Sequence, residues 1–98
     1  MTLRQRDPRQ HDKRHLDYIR SLPCCICGDN TSTEAAHIRL GSTEYGKRSA
    51  GLQEKSSDKW AVPLCGKHHR QQHIMNEMAF WKMYGKDPFM IAIGLRQR

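Results

Sequence analysis

Apolar side chains recur at a helical spacing near the start of the chain. Three of them stand at three-residue steps, namely Leu16, Ile19 and Leu22. Side chains at this spacing share one face of a helix. Asp12 precedes them as a helix cap and Pro23 follows them. We therefore predict a helix over residues 13–21.

Two short segments further on have the composition of strands. Residues 34–40 alternate weakly between apolar and polar side chains, and residues 60–64 read Trp-Ala-Val-Pro-Leu. Pro63 has no amide proton, which confines it to an edge strand or a strand end. Residues 41–58 between them are rich in Gly, Ser and Thr. We predict a hairpin whose two strands flank a long basic loop.

Residues 66–84 form the strongest helical segment of the chain. Its apolar stripe is predicted to consist of Ile74, Met78 and Trp81, at relative positions i, i+4 and i+7. Gly85 is expected to end this helix. Asp87 and Pro88 then supply a cap and a first-turn proline for a last helix through Leu95.

Charge and length narrow the functional classes. The 98 residues include 17 Lys and Arg against 10 Asp and Glu, a net charge of +7. This excess of positive charge suits a polyanionic partner, because each neutralised phosphate releases counterions. The simpler alternative is that the charge serves only to keep the protein soluble. Residues 1–12 contain few apolar side chains and are predicted to form a flexible basic arm, which leaves residues 13–98 as one domain.

The sequence predicts no association with a membrane. No apolar run approaches the roughly 20 residues that a membrane helix needs, and the N-terminus lacks the apolar core of a signal peptide. We therefore expect a cytoplasmic protein. Thiols in a reducing compartment are more often metal ligands than disulfide partners. Cys25 is the one cysteine left over, and a small buried apolar residue is its simpler interpretation.

Two short ligand pairs predict a structural zinc site. They are Cys24-x2-Cys27 and Cys65-x2-His68, and together they supply the three thiolates and one imidazole of a closed tetrahedral site. Gly28 can adopt the positive φ that a tight metal-binding turn requires. The alternative is a set of reduced core cysteines with an exposed histidine.

Three further histidines indicate a second site. On a helix His69 and His73 point in directions only about 40° apart, whereas His68 points about 100° away, towards the cysteines. Histidines at i and i+4 are a frequent metal-ligand pair, although two solvated polar residues are the alternative. His37, at the end of the first strand, gains significance only from its combination with this helix.

The chain resembles the HNH, or His-Me finger, nucleases, in which two antiparallel strands and a helix grip one divalent metal. The resemblance covers residues 24–80 and is carried by Ala-His-Ile at residues 36–38 and Val-Pro-Leu-Cys-x2-His-His at residues 62–69. Residues 22–28 and 58–69 are also similar to those of small phage and prophage HNH-like proteins. The resemblance implies an α+β fold with flanking N- and C-terminal helices. Its ββα-metal core, about residues 34–84, would be stabilised by a structural zinc.

The resemblance also implies roles for individual residues. His37 would be the general base that activates water, and His69 and His73 would hold a catalytic divalent metal, which could be Mg²⁺, Mn²⁺, Ni²⁺ or Zn²⁺. The structural Zn²⁺ would have the four ligands Cys24, Cys27, Cys65 and His68. Imidazole ligands favour the metals other than Mg²⁺.

This chain departs from the pattern of those nucleases at two positions. Ala36 stands where an acidic residue or a second histidine often precedes the base, so a carboxylate ligand of the metal must come from elsewhere, with Glu34 and Asp58 as the candidates, or be replaced by water. Trp60 stands where the asparagine of the HNH pattern falls, so Asp58 is the leading candidate to orient the base.

The expected function is a metal-dependent DNA endonuclease or nickase that acts in phage or prophage DNA recombination or processing. The candidate nucleic-acid contacts are Lys47, Arg48, Lys55 and Arg70. The alternative is a non-catalytic zinc module that binds DNA or a recombination partner, and RNA is a further possible substrate. The sequence leaves the oligomeric state open.

Overall fold

The computed structural model describes residues 12–42 and 57–97, and within them the chain has the predicted α+β composition. Its elements are α1 (Lys13–Arg20), β1 (Thr33–His37), a 3₁₀ turn (Asp58–Trp60), β2 (Ala61–Cys65), α2 (Gly66–Ile74), α3 (Glu77–Met83) and α4 (Pro88–Arg96). The predicted arm lies outside the described residues except for Asp12. Most of the predicted basic loop also lies outside them.

The first helix follows the sequence closely. The Asp12 carboxylate caps α1 by accepting the backbone N–H of His15 at 3.0 Å. Ile19 is fully buried, and the helix ends at Arg20, one residue before the predicted end. Helix α1 packs against both strands and thereby covers part of the hairpin.

The two strands pair antiparallel, as the hairpin prediction requires. Thr33 lies opposite Cys65 at one end of the hairpin, and His37 lies opposite Ala61 at the other. The first strand ends three residues earlier than predicted, although the N–H of Ile38 still donates to the carbonyl of Trp60 at 2.9 Å. The register places Cys65 and His37 about 13 Å apart along the strands.

Side chains alternate between the two faces of β1 because successive Cβ atoms of a strand point in opposite directions. Glu34 and Ala36 therefore share one face, and Ala35 and His37 share the other. This alternation decides which helix each candidate residue can reach.

The predicted helix over residues 66–84 is wrong, since the chain forms two helices there. Met75 ends α2 with an extended backbone, at φ −84° and ψ 164°. Asn76 then begins α3, and its side-chain oxygen accepts the N–H of Ala79 at 3.1 Å. A strong cap in the middle of the segment stops the first helix and starts the second.

The predicted apolar stripe is wrong for the same reason. Ile74 and Met78 are 83% and 64% exposed, whereas Trp81 is 3% exposed. The break after α2 changes the phase of the helix, so residues on its two sides do not share a face. The buried positions of α2 are instead Gly66, His68 and Gln72, polar residues apart from the glycine.

The chain after α3 follows the prediction, with a glycine that ends α3 and a capped last helix. Gly85 has φ +64°, and the Asp87 carboxylate caps α4 by accepting the N–H of Phe89 at 2.9 Å. Helix α4 runs to Arg96, whose guanidinium carbon lies 4.5 Å from the ring centroid of Trp60. The largest fully buried side chains are Phe80, Ile19, Ile38, Leu64 and Val62. No helix of the described residues is both long and apolar enough to cross a membrane.

Candidate metal centre and histidine pairs

The two predicted ligand pairs converge on one point. One ligand atom each from Cys24, Cys27, Cys65 and His68 lies within 4.8 Å of all the others. The first two residues belong to the turn after α1, and the last two end β2 and begin α2. All four cysteines of the chain are free of disulfides. The described residues therefore contain a Cys3His cluster that could hold a metal ion such as zinc.

The distances within this cluster match a tetrahedral zinc site. Cys27 Sγ lies 3.9 Å from Cys65 Sγ, and His68 Nδ1 lies 3.2 Å from Cys65 Sγ and 3.8 Å from Cys24 Sγ. Ideal zinc bonds place two sulfurs about 3.8 Å apart and a sulfur and a nitrogen about 3.5 Å apart. The residues therefore fit the ion in both chemistry and spacing.

The backbone of the turn stabilises the thiolate of Cys24. Burial by itself would raise the pKa of the Cys24 thiol, but backbone N–H groups, including that of Ile26 at 3.4 Å, outweigh it and lower the pKa. The turn closes because the N–H of Gly28 donates to the Cys24 carbonyl at 2.8 Å. Gly28 has φ +81°, as the sequence predicts.

Cys25 stays outside the cluster. Its backbone N–H donates to the carbonyl of Pro63 at 3.0 Å, which attaches the turn that carries Cys24 and Cys27 to β2. Burial, followed by the negative charge of Cys24, raises the pKa of the Cys25 thiol to about 12. This half-buried thiol packs against the core, in keeping with the apolar interpretation.

His37 forms a pair with Asp58 at the other end of the hairpin. Its Nε2 lies 2.9 Å from Asp58 Oδ1, and the two side chains are 25% and 4% exposed. The second carboxylate oxygen, Oδ2, accepts the N–H of Asp12 at 2.7 Å. The aspartate is therefore held by α1 and in turn fixes the orientation of a partly exposed imidazole.

His69 and His73 lie together on α2, and Glu34 joins them from β1. The Nε2 atoms of the two histidines are 3.3 Å apart. Glu34 Oε1 lies 2.6 Å from His69 Nδ1. His68 takes part in the cysteine cluster instead, so the predicted divergence of His68 from the other pair is confirmed.

These two histidine groups lie on opposite sides of β1. Glu34 faces α2, whereas His37, three residues later, faces the 3₁₀ turn that carries Asp58. Within residues 12–42 and 57–97, no hydrogen bond joins His37 to His69 or His73. The structure therefore brings the predicted residues together as two separate groups.

The remaining candidates are placed in part. Arg70 is exposed on α2, and its Nη1 atom lies 3.3 Å from the point where a Cβ at Gly66 would stand. Trp60, at the position of the missing asparagine, is buried in the core. Lys47, Arg48 and Lys55 lie outside the described residues.

Glu77 holds several elements together, a role that was not predicted from the sequence. Its carboxylate accepts three N–H groups, from the backbone of Arg39, the Gln72 amide and the Trp81 indole, at 3.1 to 3.2 Å. These bonds attach the end of β1 to α2 and α3. An acidic residue directly after Asn76 was consistent with a helix start, but nothing in the sequence indicated its long-range partners.

The fold and the cluster define a small α+β protein with a Cys3His site that could bind zinc. Residues 2–97 match a protein family, and the chain belongs to this family, described as "Protein of unknown function (DUF968)". The chain is also similar to "Uncharacterized protein YdfU" of Escherichia coli (strain K12), at 27% identity over 73 residues, or 74% of this chain. It spans 19% of the length of that relative. No solved structure matches the chain.

Proposed function

We propose that this protein is a metal-dependent DNA endonuclease or nickase of the HNH type. The observation that carries the proposal is the hydrogen bond between the partly exposed His37 and the buried Asp58. A hydrophobic core does not need such a pair, whereas a general base needs an imidazole that is fixed in orientation yet reachable by water.

The hydrogen bond to Asp58 decides which nitrogen of His37 carries the proton. An ionised Asp58 only accepts hydrogen bonds, so Nε2 of His37 carries the proton and Nδ1 carries the lone pair. In hydrolysis Nδ1 takes a proton from water while the water oxygen bonds to phosphorus. The bond from phosphorus to the 3′ oxygen then breaks, and the leaving oxygen takes a proton from solvent.

His69 and His73 fit a divalent metal. Tetrahedral coordination with bonds of about 2.0 Å places two imidazole nitrogens about 3.3 Å apart, and the two Nε2 atoms are 3.3 Å apart. Their Nε2 atoms would hold the ion, which when bound offsets the charge that develops on the phosphate and the leaving oxygen.

Glu34 has a supporting role in this arrangement. Its carboxylate accepts the Nδ1 proton of His69 at 2.6 Å, which fixes the tautomer that leaves Nε2 available to a metal. Position 36 has no acidic residue, and in this proposal Glu34 supplies the carboxylate instead, by orienting His69.

The proposal requires one phosphate to meet both groups at the end of β1. His37 is the last residue of that strand, and beyond it the strand no longer separates the two faces. The proposed substrate is DNA because the chain carries a net charge of +7. A role in phage or prophage DNA recombination or processing follows from the resemblance of residues 24–80 to small HNH-like proteins.

The second candidate function is a zinc module that binds DNA or a recombination partner without cleaving it. The observation that favours it is the separation of His37 from His69 and His73 by β1. In this interpretation the Asp58 carboxylate only attaches α1 to the 3₁₀ turn.

Nicking of supercoiled plasmid with a panel of divalent metals tests the proposal. Zinc-loaded wild type, His37→Ala, His73→Ala and the double variant are purified identically and checked by thermal melting. We expect a loss of at least about 100-fold for each single variant. Because groups that act as a unit are not additive, the double variant should be no slower than the slower single variant.

Two outcomes would decide against the nuclease. Equal background nicking by wild type and His37→Ala would show that the activity comes from a contaminant. Tight plasmid binding without nicking, under every metal tested, would establish the binding module instead.

A further inference from the structure

The outward face of α2 carries two cations and one prominent apolar side chain. On a helical projection Lys67, Ile74, Arg70 and His73 follow one another over about 120°, and all four are exposed. The buried residues His68 and Gln72 occupy the opposite side, and the buried Gly66 lies between Arg70 and His73, close to the side chains of Arg70 and Glu34. The exposed face therefore continues directly from the histidine pair into a cationic surface.

Ile74 is the most exposed large apolar side chain of the described residues, at 83%. A single exposed apolar residue is ordinary, but Ile74 ends α2 beside His73 and shares its face with Lys67 and Arg70. The positive charges of Lys67 and Arg70 indicate which kind of partner this face would bind. A second copy of this face would bring like charges together, and an apolar protein surface would leave both cations unpaired.

The two ends of the helix differ in chemistry. Lys67 lies in the first turn, and the Arg70 side chain reaches back to the beginning of α2 near Gly66. Ile74 lies about 10 Å further along the axis, a distance of about three base-pair steps. Positive charge that holds a phosphate backbone, followed by an apolar wedge between base steps, is how groove-binding proteins deform a duplex.

We propose that α2 lies along a groove of duplex DNA, with Lys67 and Arg70 on phosphates and Ile74 inserted against the bases. This proposal rests on the DNA substrate of the proposed function and identifies the surface that holds it. A duplex bent by Ile74 would present its backbone to the neighbouring His69 and His73.

Fluorescence with a duplex that contains 2-aminopurine tests the insertion, since unstacking raises the emission of this base. The zinc-loaded full chain is used with no other divalent metal added, so binding is measured apart from cleavage. Wild type should raise the emission, and Ile74→Ala should abolish the rise and weaken binding about tenfold. The matched control is Met90→Ala, which removes another exposed apolar side chain, on α4.

The cations are tested by the salt dependence of binding. Lys67→Gln should reduce the slope of log K against log salt by about one, while Lys82→Gln, an exposed lysine of α3, should leave it unchanged. Emission that is unchanged in Ile74→Ala, equal losses in Met90→Ala, or no duplex binding by wild type would each overturn the proposal. Metal-dependent nicking together with any of these results would leave the nuclease standing and reject only this surface.

Discussion

The Cys3His cluster and the two histidine groups arrange similar side chains in different ways. In the cluster four ligand atoms face one another within 4.8 Å and three of the four residues are buried. The histidine groups are partly exposed, and each holds a carboxylate. A closed ligand set serves folding, whereas an open set leaves room for substrate. The hairpin therefore carries one closed ligand set, and the nuclease proposed above requires that the histidine groups act as the open one.

Loss of the cluster should have the largest effect. Cys65→Ser removes a buried ligand that joins β2 to α2, and structural zinc contributes on the order of 10 kcal/mol to folding. We expect no cooperative thermal unfolding by circular dichroism, and the loss of one bound zinc per chain in metal analysis. Cys25→Ser is the control, because Cys25 lies outside the cluster, and it should keep both the zinc and the transition. Equal melting of the two variants would contradict a structural role for the cluster.

Asp58→Asn should affect both folding and chemistry. The buried carboxylate bonds His37 and the N–H of Asp12, so its loss should cost about 1–3 kcal/mol of unfolding free energy. Nicking should fall by about 10²- to 10⁴-fold, because the imidazole loses the group that fixes its tautomer. Denaturant unfolding and plasmid nicking are the measurements, with the exposed Asp29→Asn as control. A loss of stability with unchanged nicking would reduce Asp58 to a structural residue.

Glu34→Gln should separate metal binding from folding. Its carboxylate is half exposed and orients His69, and loss of such a supporting group raises the required metal concentration by about 10- to 100-fold. The melting temperature should not change. Glu77→Gln is the matched control with the opposite profile, because Glu77 holds the helices together but does not contact the histidines. A metal requirement that is the same in Glu34→Gln and wild type would reject the orienting role.

The local features of the fold were predictable from the sequence because they depend on neighbouring residues. The caps at Asp12 and Asp87 and the left-handed Gly28 and Gly85 each need only a few adjacent residues, and the structure confirms them. The four cluster ligands were predictable because their spacing within each pair is itself a local property.

The histidine groups show where sequence reasoning stops. The resemblance made Asp58 the leading candidate to orient His37 and Glu34 a candidate to approach the metal, and each lies beside the expected histidine. The sequence did not indicate that the two contacts would lie on opposite faces of β1, because that depends on where the strand ends and how α2 packs on it. The helix break was missed because Ile74, Met78 and Trp81 fit one stripe so well, although Asn76 carried the capping signal. The partners of Glu77 and Arg96 could not be foreseen, because they depend on how distant elements pack.

Asp17→Asn should have the smallest effect. Asp17 lies beside the group formed by His37, Asp58 and Asp12, which is called the His37 group below. Asp17 is exposed on α1, the helix whose cap residue Asp12 holds Asp58. A hydrogen bond from Lys13, with the charges of Lys13 and Arg20, lowers the pKa of Asp17. Its contribution is therefore fully present above the unfolded pKa of about 3.9 and is lost as the pH falls through the folded value. At pH 7 the variant should melt about 1–2 °C lower, and 1 M salt should remove the difference by screening the charges. A decrease that persists in salt would show that Asp17 acts through packing of α1, and would extend the His37 group beyond Asp58 and Asp12.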